Sequence, residues 1–147
     1  MKWLALATIL PLTMLAKDMP AGRFAGTWKM DIAASKISPG PPPQWETIVV
    51  QPDGMVSCEV MTHDGKDLKW SYKPQEGEAV PVDGRENSTV LSKKINDHTT
   101  EQLWNYNGHQ AKGRAVLSKD GMKTYYHIEG ENAQGKPFHE EVVYDKQ

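Results

Sequence analysis

The sequence predicts an all-β fold, an antiparallel up-and-down β-barrel of about 8–10 strands. Turn signals recur at short intervals, and apolar and polar residues partly alternate between them. Asn-Gly and Asp-Gly favour tight hairpins because both central residues can take a positive φ. After Gly22, no window of about 12 residues carries apolar residues at helical spacing without a Gly or Pro break. The main turn signals are Asp64-Gly65, Asp83-Gly84, Asn107-Gly108 and Asp120-Gly121.

The segments between the turns are the expected strands. In one of them Thr124, Tyr126 and Ile128 alternate with Tyr125 and His127, which places the two sets on opposite faces. Short connections between sequence neighbours give a meander, and closing it into a barrel removes both exposed edges. A two-sheet sandwich is the alternative, but it needs longer crossovers. The expected strands are 24–31, 44–51, 55–62, 67–73, 78–82, 88–95, 98–106, 109–118, 122–130 and 137–144.

One connection is long and irregular, from Ile32 to Pro43, and it ends in three successive prolines. Such a run is expected to be extended and stiff. Two interpretations stay open: the segment covers one end of the barrel as a lid, or it is a spacer between the first two long strands.

Residues 1–16 are predicted to be a secretory signal peptide. Lys2 precedes an apolar run from Trp3 to Ala16, which is shorter than the ~20 residues that span a bilayer. The run matches the ~7–15-residue apolar core of a signal peptide with a small residue at the cut. Cleavage after Ala16 would leave one domain, 17–147, expected to be periplasmic or secreted, with no stable membrane span. The alternative is an N-terminal core helix.

Composition excludes several classes of protein. The 147 residues fit a single domain of ~100–200 residues. A net charge of −2, from 17 Lys+Arg and 19 Asp+Glu, argues against nucleic acid as a partner, since phosphate binding needs a basic stripe. The single cysteine, Cys58, excludes an internal disulfide framework and a cysteine zinc cage. Cys58 lies between Val56 and Val60 in alternation, which predicts a small core residue.

Several stretches carry a resemblance to a known superfamily. The string from Phe24 to Lys29, with its Gly-x-Trp, resembles the lipocalin and fatty-acid-binding-protein (calycin) superfamily. The stretches 35–41, 132–137 and 144–147 are similar to small exported bacterial lipocalin-like proteins. The resemblance covers residues 24–147. It implies a lipocalin-like β-barrel that holds a small apolar ligand, and no established activity.

Two departures from fatty-acid-binding proteins matter. The chain offers only the proline segment where they carry a short helix pair. Val142 stands where their last strand supplies an inward Arg that grips a carboxylate, two residues before the tyrosine. In such barrels Trp28 is expected to close one end of the interior. Lipocalins often cover this Trp with an Arg, for which Arg114 is the candidate here.

The candidate ligand-binding residues are aromatic. Pockets are mostly apolar with a few polar anchors, so an aromatic inner wall could line one. The alternative is that these rings simply fill the barrel, as side chains do in small barrels. The expected lining is Trp45, Trp70, Tyr72, Trp104 and Tyr126, with Arg114 as a polar anchor.

No metal site, cofactor or catalytic residue is predicted. The histidines lack close metal spacing, and no nucleophile elbow, phosphate loop or dinucleotide fingerprint occurs. One conditional case remains: if Ile128 pairs with Phe138, His127 lies opposite His139 on the solvent face. With a carboxylate there, the two imidazoles could bind zinc or copper. Glu140 and Glu141 are expected to be strand surface.

The expected function is therefore non-catalytic binding of a small apolar or amphipathic molecule inside an exported barrel. A second hypothesis is a structural or interaction module of the cell envelope with a filled core. A third is an enzyme that uses the barrel mouth, which would bring at least two titratable groups together inside. The sequence leaves the ligand and the oligomeric state open.

Overall fold

The predicted strands form an antiparallel barrel in the computed structural model, which describes residues 17–147. The proposed signal peptide, 1–16, lies outside the described residues. A short 3-10 helix spans Gly22–Phe24. The strands are β1 (Lys17–Asp18), β2 (Gly26–Met30), β3 (Lys36–Ser38), β4 (Trp45–Val50), β5 (Val56–Met61), β6 (Asp67–Tyr72), β7 (Gln75–Glu76), β8 (Ala79–Pro81), β9 (Ser88–Asn96), β10 (Thr99–Tyr106), β11 (His109–Leu117), β12 (Lys123–Glu131) and β13 (Pro137–Lys146).

The sheet is a meander whose first and last long strands meet. Strands β4 to β6 and β9 to β13 each pair with their sequence neighbours, and β13 pairs with β2, which pairs with β4. Between β6 and β9, where β8 lies against β9, the ring is completed by a single bridge. In this bridge the Ser71 amide donates to the Asp83 carbonyl at 2.9 Å, and the Asp83 amide returns a bond at 2.8 Å. The predicted up-and-down barrel is confirmed.

The proline-rich connection contains a strand that the sequence did not predict. Strand β3 pairs with β13, Ile37 facing Glu140 across the ladder. Ile37, Pro39, Pro41 and Pro43 contribute to the wall of the internal cavity. Ile37 and Pro43 are half-buried, whereas residues 38–42 are exposed, so the segment borders the cavity while one side of it faces solvent.

The last hairpin does not have the register in which Ile128 pairs with Phe138. Ile128 lies opposite Glu140 rather than Phe138, which places His127 opposite Glu141 and Glu129 opposite His139. The reason is the loop: the Asn132 amide donates to the Lys136 carbonyl at 2.9 Å, so the hairpin is centred on Gln134. A shift of two residues preserves the face of each side chain and changes its partner.

The buried side chains form two clusters inside the barrel. One surrounds Val90 and Trp104, and the other surrounds Trp28 and Tyr144. Trp28 is 2% exposed and its Nε1 donates to the Phe24 carbonyl at 2.8 Å, which agrees with a closing role at one end. Its cationic neighbour is Lys146, whose Nζ lies 5.8 Å from the ring centroid, and not Arg114 as expected. Within residues 17–147, no helix has the length and apolar character that crossing a membrane requires.

Candidate functional site

The barrel contains a cavity of about 1110 Å³ that opens to solvent. Ligand pockets in proteins commonly measure about 300–1,000 Å³, so this cavity can hold a lipid-sized molecule. Its wall is built by inward-facing residues of the strands, by the proline segment and by the stretch 18–24. The interior is hollow rather than filled.

Four rings, Trp70, Tyr72, Trp104 and Tyr106, form the aromatic cluster on one side of the cavity. Trp104 lies at its centre, with its ring centroid 5.6 Å from Trp70, 5.4 Å from Tyr72 and 5.6 Å from Tyr106. The first two contacts are edge-to-face and the third is stacked, both favourable arrangements of ring quadrupoles. The cluster gives the cavity a rigid apolar wall.

A buried hydrogen-bond network holds two rings of the aromatic cluster, Tyr72 and Trp104. Gln102 Nε2 donates to the Tyr72 hydroxyl at 2.7 Å, and the Tyr126 hydroxyl donates to Gln102 Oε1 at 2.6 Å. The Trp104 indole N–H is shared between Gln102 Oε1 at 3.1 Å and the Tyr126 hydroxyl at 3.0 Å. Burial raises the pKa of both tyrosines, which favours protonated phenols: Tyr126 donates in this network and Tyr72 accepts.

Arg85 brings a cation into the cavity from the turn between β8 and β9. Its Cζ lies 4.7 Å from the centroid of Trp70 and 5.5 Å from that of Tyr106, within cation–π range. Within residues 17–147, no carboxylate lies within 4.0 Å of its guanidinium nitrogens. Gly84 allows the turn to approach β6: its φ is +87°, and a Cβ there would lie 2.2 Å from the Lys69 carbonyl oxygen.

Two acids also face the interior. Glu46 accepts hydrogen bonds from the Tyr144 hydroxyl at 2.9 Å and the Cys58 thiol at 3.5 Å. Burial raises the pKa of Glu46, and these bonds and the charge of Arg85 oppose the rise. Burial also raises the pKa of Glu140, helped by the negative charge of Glu46. The cavity wall thus includes the Arg85 cation and two carboxyls, Glu46 and Glu140, whose pKa is raised.

Three further polar atoms of the wall are buried and lack a hydrogen-bond partner within the described part of the chain. They are Trp70 Nε1, Ser92 Oγ and Thr124 Oγ1. A buried donor or acceptor without a partner costs about 1–3 kcal/mol.

Because the pKa of Glu46 is raised in the folded protein, Glu46 should lower the free energy of unfolding as pH rises. Glu46→Gln should remove this effect. Below the ordinary carboxyl pKa the group is protonated in both the folded and unfolded states. As pH rises, the unfolded chain loses this proton first, so stability falls until the folded-state pKa is passed. In urea unfolding from ~pH 4 to ~pH 8, we expect the stability of Glu46→Gln relative to wild type to increase with pH.

Glu78→Gln provides the control, since Glu78 is exposed on the outer surface. Its free energy of unfolding should follow that of the wild type across the same pH range. A relative stability of Glu46→Gln that stays constant or falls with pH would contradict a raised pKa of Glu46 in the folded state.

Four of the six predicted site residues line the cavity: Trp70, Tyr72, Trp104 and Tyr126. Their contact with a ligand stays a prediction. The other two have different positions. Trp45 precedes the inward Glu46, so strand alternation places it on the outer face. Arg114 also lies outside, 3.8 Å from Glu101 through its Nη1, with 57% of its side chain exposed.

The interior residues missed from the sequence include three ionisable ones: Glu46, Arg85 and Glu140. A signal existed for Glu46, which shares strand parity with Ile48 and Val50. Glu140 was expected at the surface but lines the cavity, because it alternates with the outward His139 and Glu141. No sequence pattern indicates where Arg85 points, because it follows a turn rather than lying in an alternating strand.

The barrel has a fold similar to that of fatty-acid-binding proteins, the calycin fold. Two solved structures share it. The Schistosoma mansoni fatty acid binding protein in complex with arachidonic acid is 14% identical, with 88% of this chain and 99% of that chain covered and a TM-score of 0.55. Wild-type fluorescent protein UnaG is 12% identical, with coverages of 86% and 99% and a TM-score of 0.54.

At these identities the likeness shows the fold alone. No protein-family model matches the sequence, and no curated protein matches it.

Proposed function

We propose that this protein binds one small apolar or amphipathic molecule inside its barrel, without catalysis. The observation that carries the proposal is the cavity of about 1110 Å³ lined by the aromatic cluster. Transfer of an apolar group from water into such a space is favoured by about 25 cal/mol per Å² of apolar surface removed from water. The arachidonic acid complex of the Schistosoma mansoni protein supports this class of ligand.

The polar groups of the interior favour an amphipathic guest over a pure hydrocarbon. Arg85 lies on the cavity wall as a cation with no carboxylate within salt-bridge distance in residues 17–147. A ligand with a polar or acidic end and an apolar body satisfies both parts of the wall. An interaction module with a filled core, the second hypothesis, has no support from this hollow interior.

Native mass spectrometry of protein purified without delipidation tests the proposal. We expect the intact chain together with one non-covalently bound small molecule, released by collisional activation. Protein denatured and refolded in clean buffer should lose this mass and regain an adduct when arachidonic acid is added. An apo mass in both preparations, with no uptake of the added lipid, would contradict the proposal.

We propose further that binding takes place outside the cytoplasm. The support is the apolar run from Trp3 to Ala16 behind Lys2. The intact mass in the same spectra identifies the N-terminal residue. An exported chain should start at Lys17, whereas an uncleaved chain retains residues 1–16.

A further inference from the structure

The outer face of the last hairpin carries a cluster that the binding cavity does not use. His127, Glu129 and His139 lie on β12 and β13 with one potential ligand atom each, and these atoms all lie within 4.8 Å of one another. His127 and His139 are diagonal neighbours on the ladder, as are Glu129 and Glu141. Each histidine thus faces a glutamate across the strands.

The two imidazoles point at each other. His127 Nε2 and His139 Nε2 are 2.8 Å apart, and the ring planes are inclined by 66°. At this distance two neutral rings share one proton, with one nitrogen donating and the other presenting a lone pair. If both nitrogens were protonated, two donors would face each other. A metal cation between the rings would instead accept a lone pair from each of the two nitrogens.

From this geometry we propose that His127, His139 and Glu129 form a surface binding site for a divalent transition-metal ion, with zinc as its probe. Imidazole nitrogen and carboxylate oxygen are both zinc ligands, at about 2.0–2.2 Å from the metal. Two nitrogens around a tetrahedral zinc lie about 3.3 Å apart, so the rings need to separate by about half an ångström. Both rings lie on the outer surface, where such a movement meets little resistance.

A fourth position is available at this site. Glu141 Oε1 lies 3.9 Å from His139 Nε2 on the same face, so either Glu141 or a water molecule can complete a tetrahedron. His127 and Glu129 lie on β12, and His139 and Glu141 lie on β13, which pairs with it. Bound zinc therefore links β12 to β13 across the ladder, beside the pairing of β3 with β13.

This site is independent of the proposed ligand cavity. The inward neighbours of its residues, Ile128 and Glu140, line the cavity, while the histidines face outward. Loss of zinc binding and loss of lipid binding can therefore be separated by substitution.

The test is isothermal titration of ZnCl2 into untagged protein. We expect saturable binding of one zinc per chain, and a zinc-dependent rise in melting temperature, because a ligand that binds only the folded state stabilises it. His127→Ala and His139→Ala should each weaken zinc binding by at least about tenfold, since loss of even a residue that only hydrogen-bonds to a metal ligand costs about 10–100-fold. Their melting temperatures without zinc should stay near that of the wild type, as for other surface substitutions.

His109→Ala is the matched control. His109 also contacts a carboxylate, Glu131, at 2.9 Å on the outer surface, but no second imidazole is part of that pair. This variant should bind zinc like the wild type. The proposal is overturned if the wild type shows no saturable zinc binding, or if both His127→Ala and His139→Ala bind zinc as tightly as the wild type does.

Discussion

Trp104→Ala is expected to lower the free energy of unfolding by about 3–5 kcal/mol, the usual cost of truncating a buried large aromatic residue. Trp104 is 3% exposed and lies at the centre of the aromatic cluster. Truncation removes its ring contacts with Trp70, Tyr72 and Tyr106. The loss in hydrogen bonding is smaller, since Gln102 Oε1 keeps its bond from Tyr126. Urea unfolding followed by circular dichroism measures the change.

Trp45→Ala is the matched control for this truncation, since it deletes the same side chain from the outer face. Trp45 is only half-buried, so we expect a loss of about 1–2 kcal/mol from reduced apolar burial. If Trp104→Ala were no more destabilising than Trp45→Ala, the aromatic cluster would not be the centre of the core.

Ala115→Trp is expected to weaken binding of arachidonic acid by at least about tenfold, which corresponds to about 1.4 kcal/mol. Ala115 lies on the inner face of β11 and lines the cavity. An indole at this position extends into space that the ligand would occupy. Because that space is empty of protein atoms, the variant should fold as the wild type does. Isothermal titration calorimetry with the same lipid stock for variant and wild type measures the change in dissociation constant.

Val116→Trp carries the same side chain one residue further along the strand. Val116 is 37% exposed and faces outward, so this variant should bind the lipid as tightly as the wild type. Equal binding by both variants would show that the lipid associates with the outer surface.

The strands were predictable because each turn carries local information. Asn107 and Gly108 have φ values of 55° and 90°, which the Asn-Gly dipeptide adopts with little strain. The turn fixes where each strand starts, and alternation then assigns its faces. The three short strands that were missed contain two or three residues each, too few for a period to show.

The candidate site was only partly predictable. Trp70 and Tyr72 follow from the alternation within β6, whereas Arg114 was chosen because it lies in a strand and Arg85 was overlooked because it follows a turn. Alternation assigns a face only inside a strand, and the direction of Arg85 depends on how its turn closes against β6. Glu140 was placed at the surface because of its charge, although its alternation with His139 and Glu141 puts it on the inner face.

The register of the last hairpin could not be predicted without the hydrogen bonds within its loop. Gln134-Gly135 indicates a turn, but the bonds between Asn132 and Lys136 decide its centre. The two histidines consequently meet on the diagonal instead of directly across the ladder. Their shared face was predictable from parity, and their 2.8 Å separation was not.

The wild-type arm of the arachidonic acid titration tests the central claim most directly. A barrel with one internal cavity should take up the lipid with a saturable stoichiometry of one per chain. The heat capacity change should be negative, as burial of apolar surface requires. A titration without saturation, or one that saturates with no heat capacity change, would contradict the claim that this cavity is a binding site.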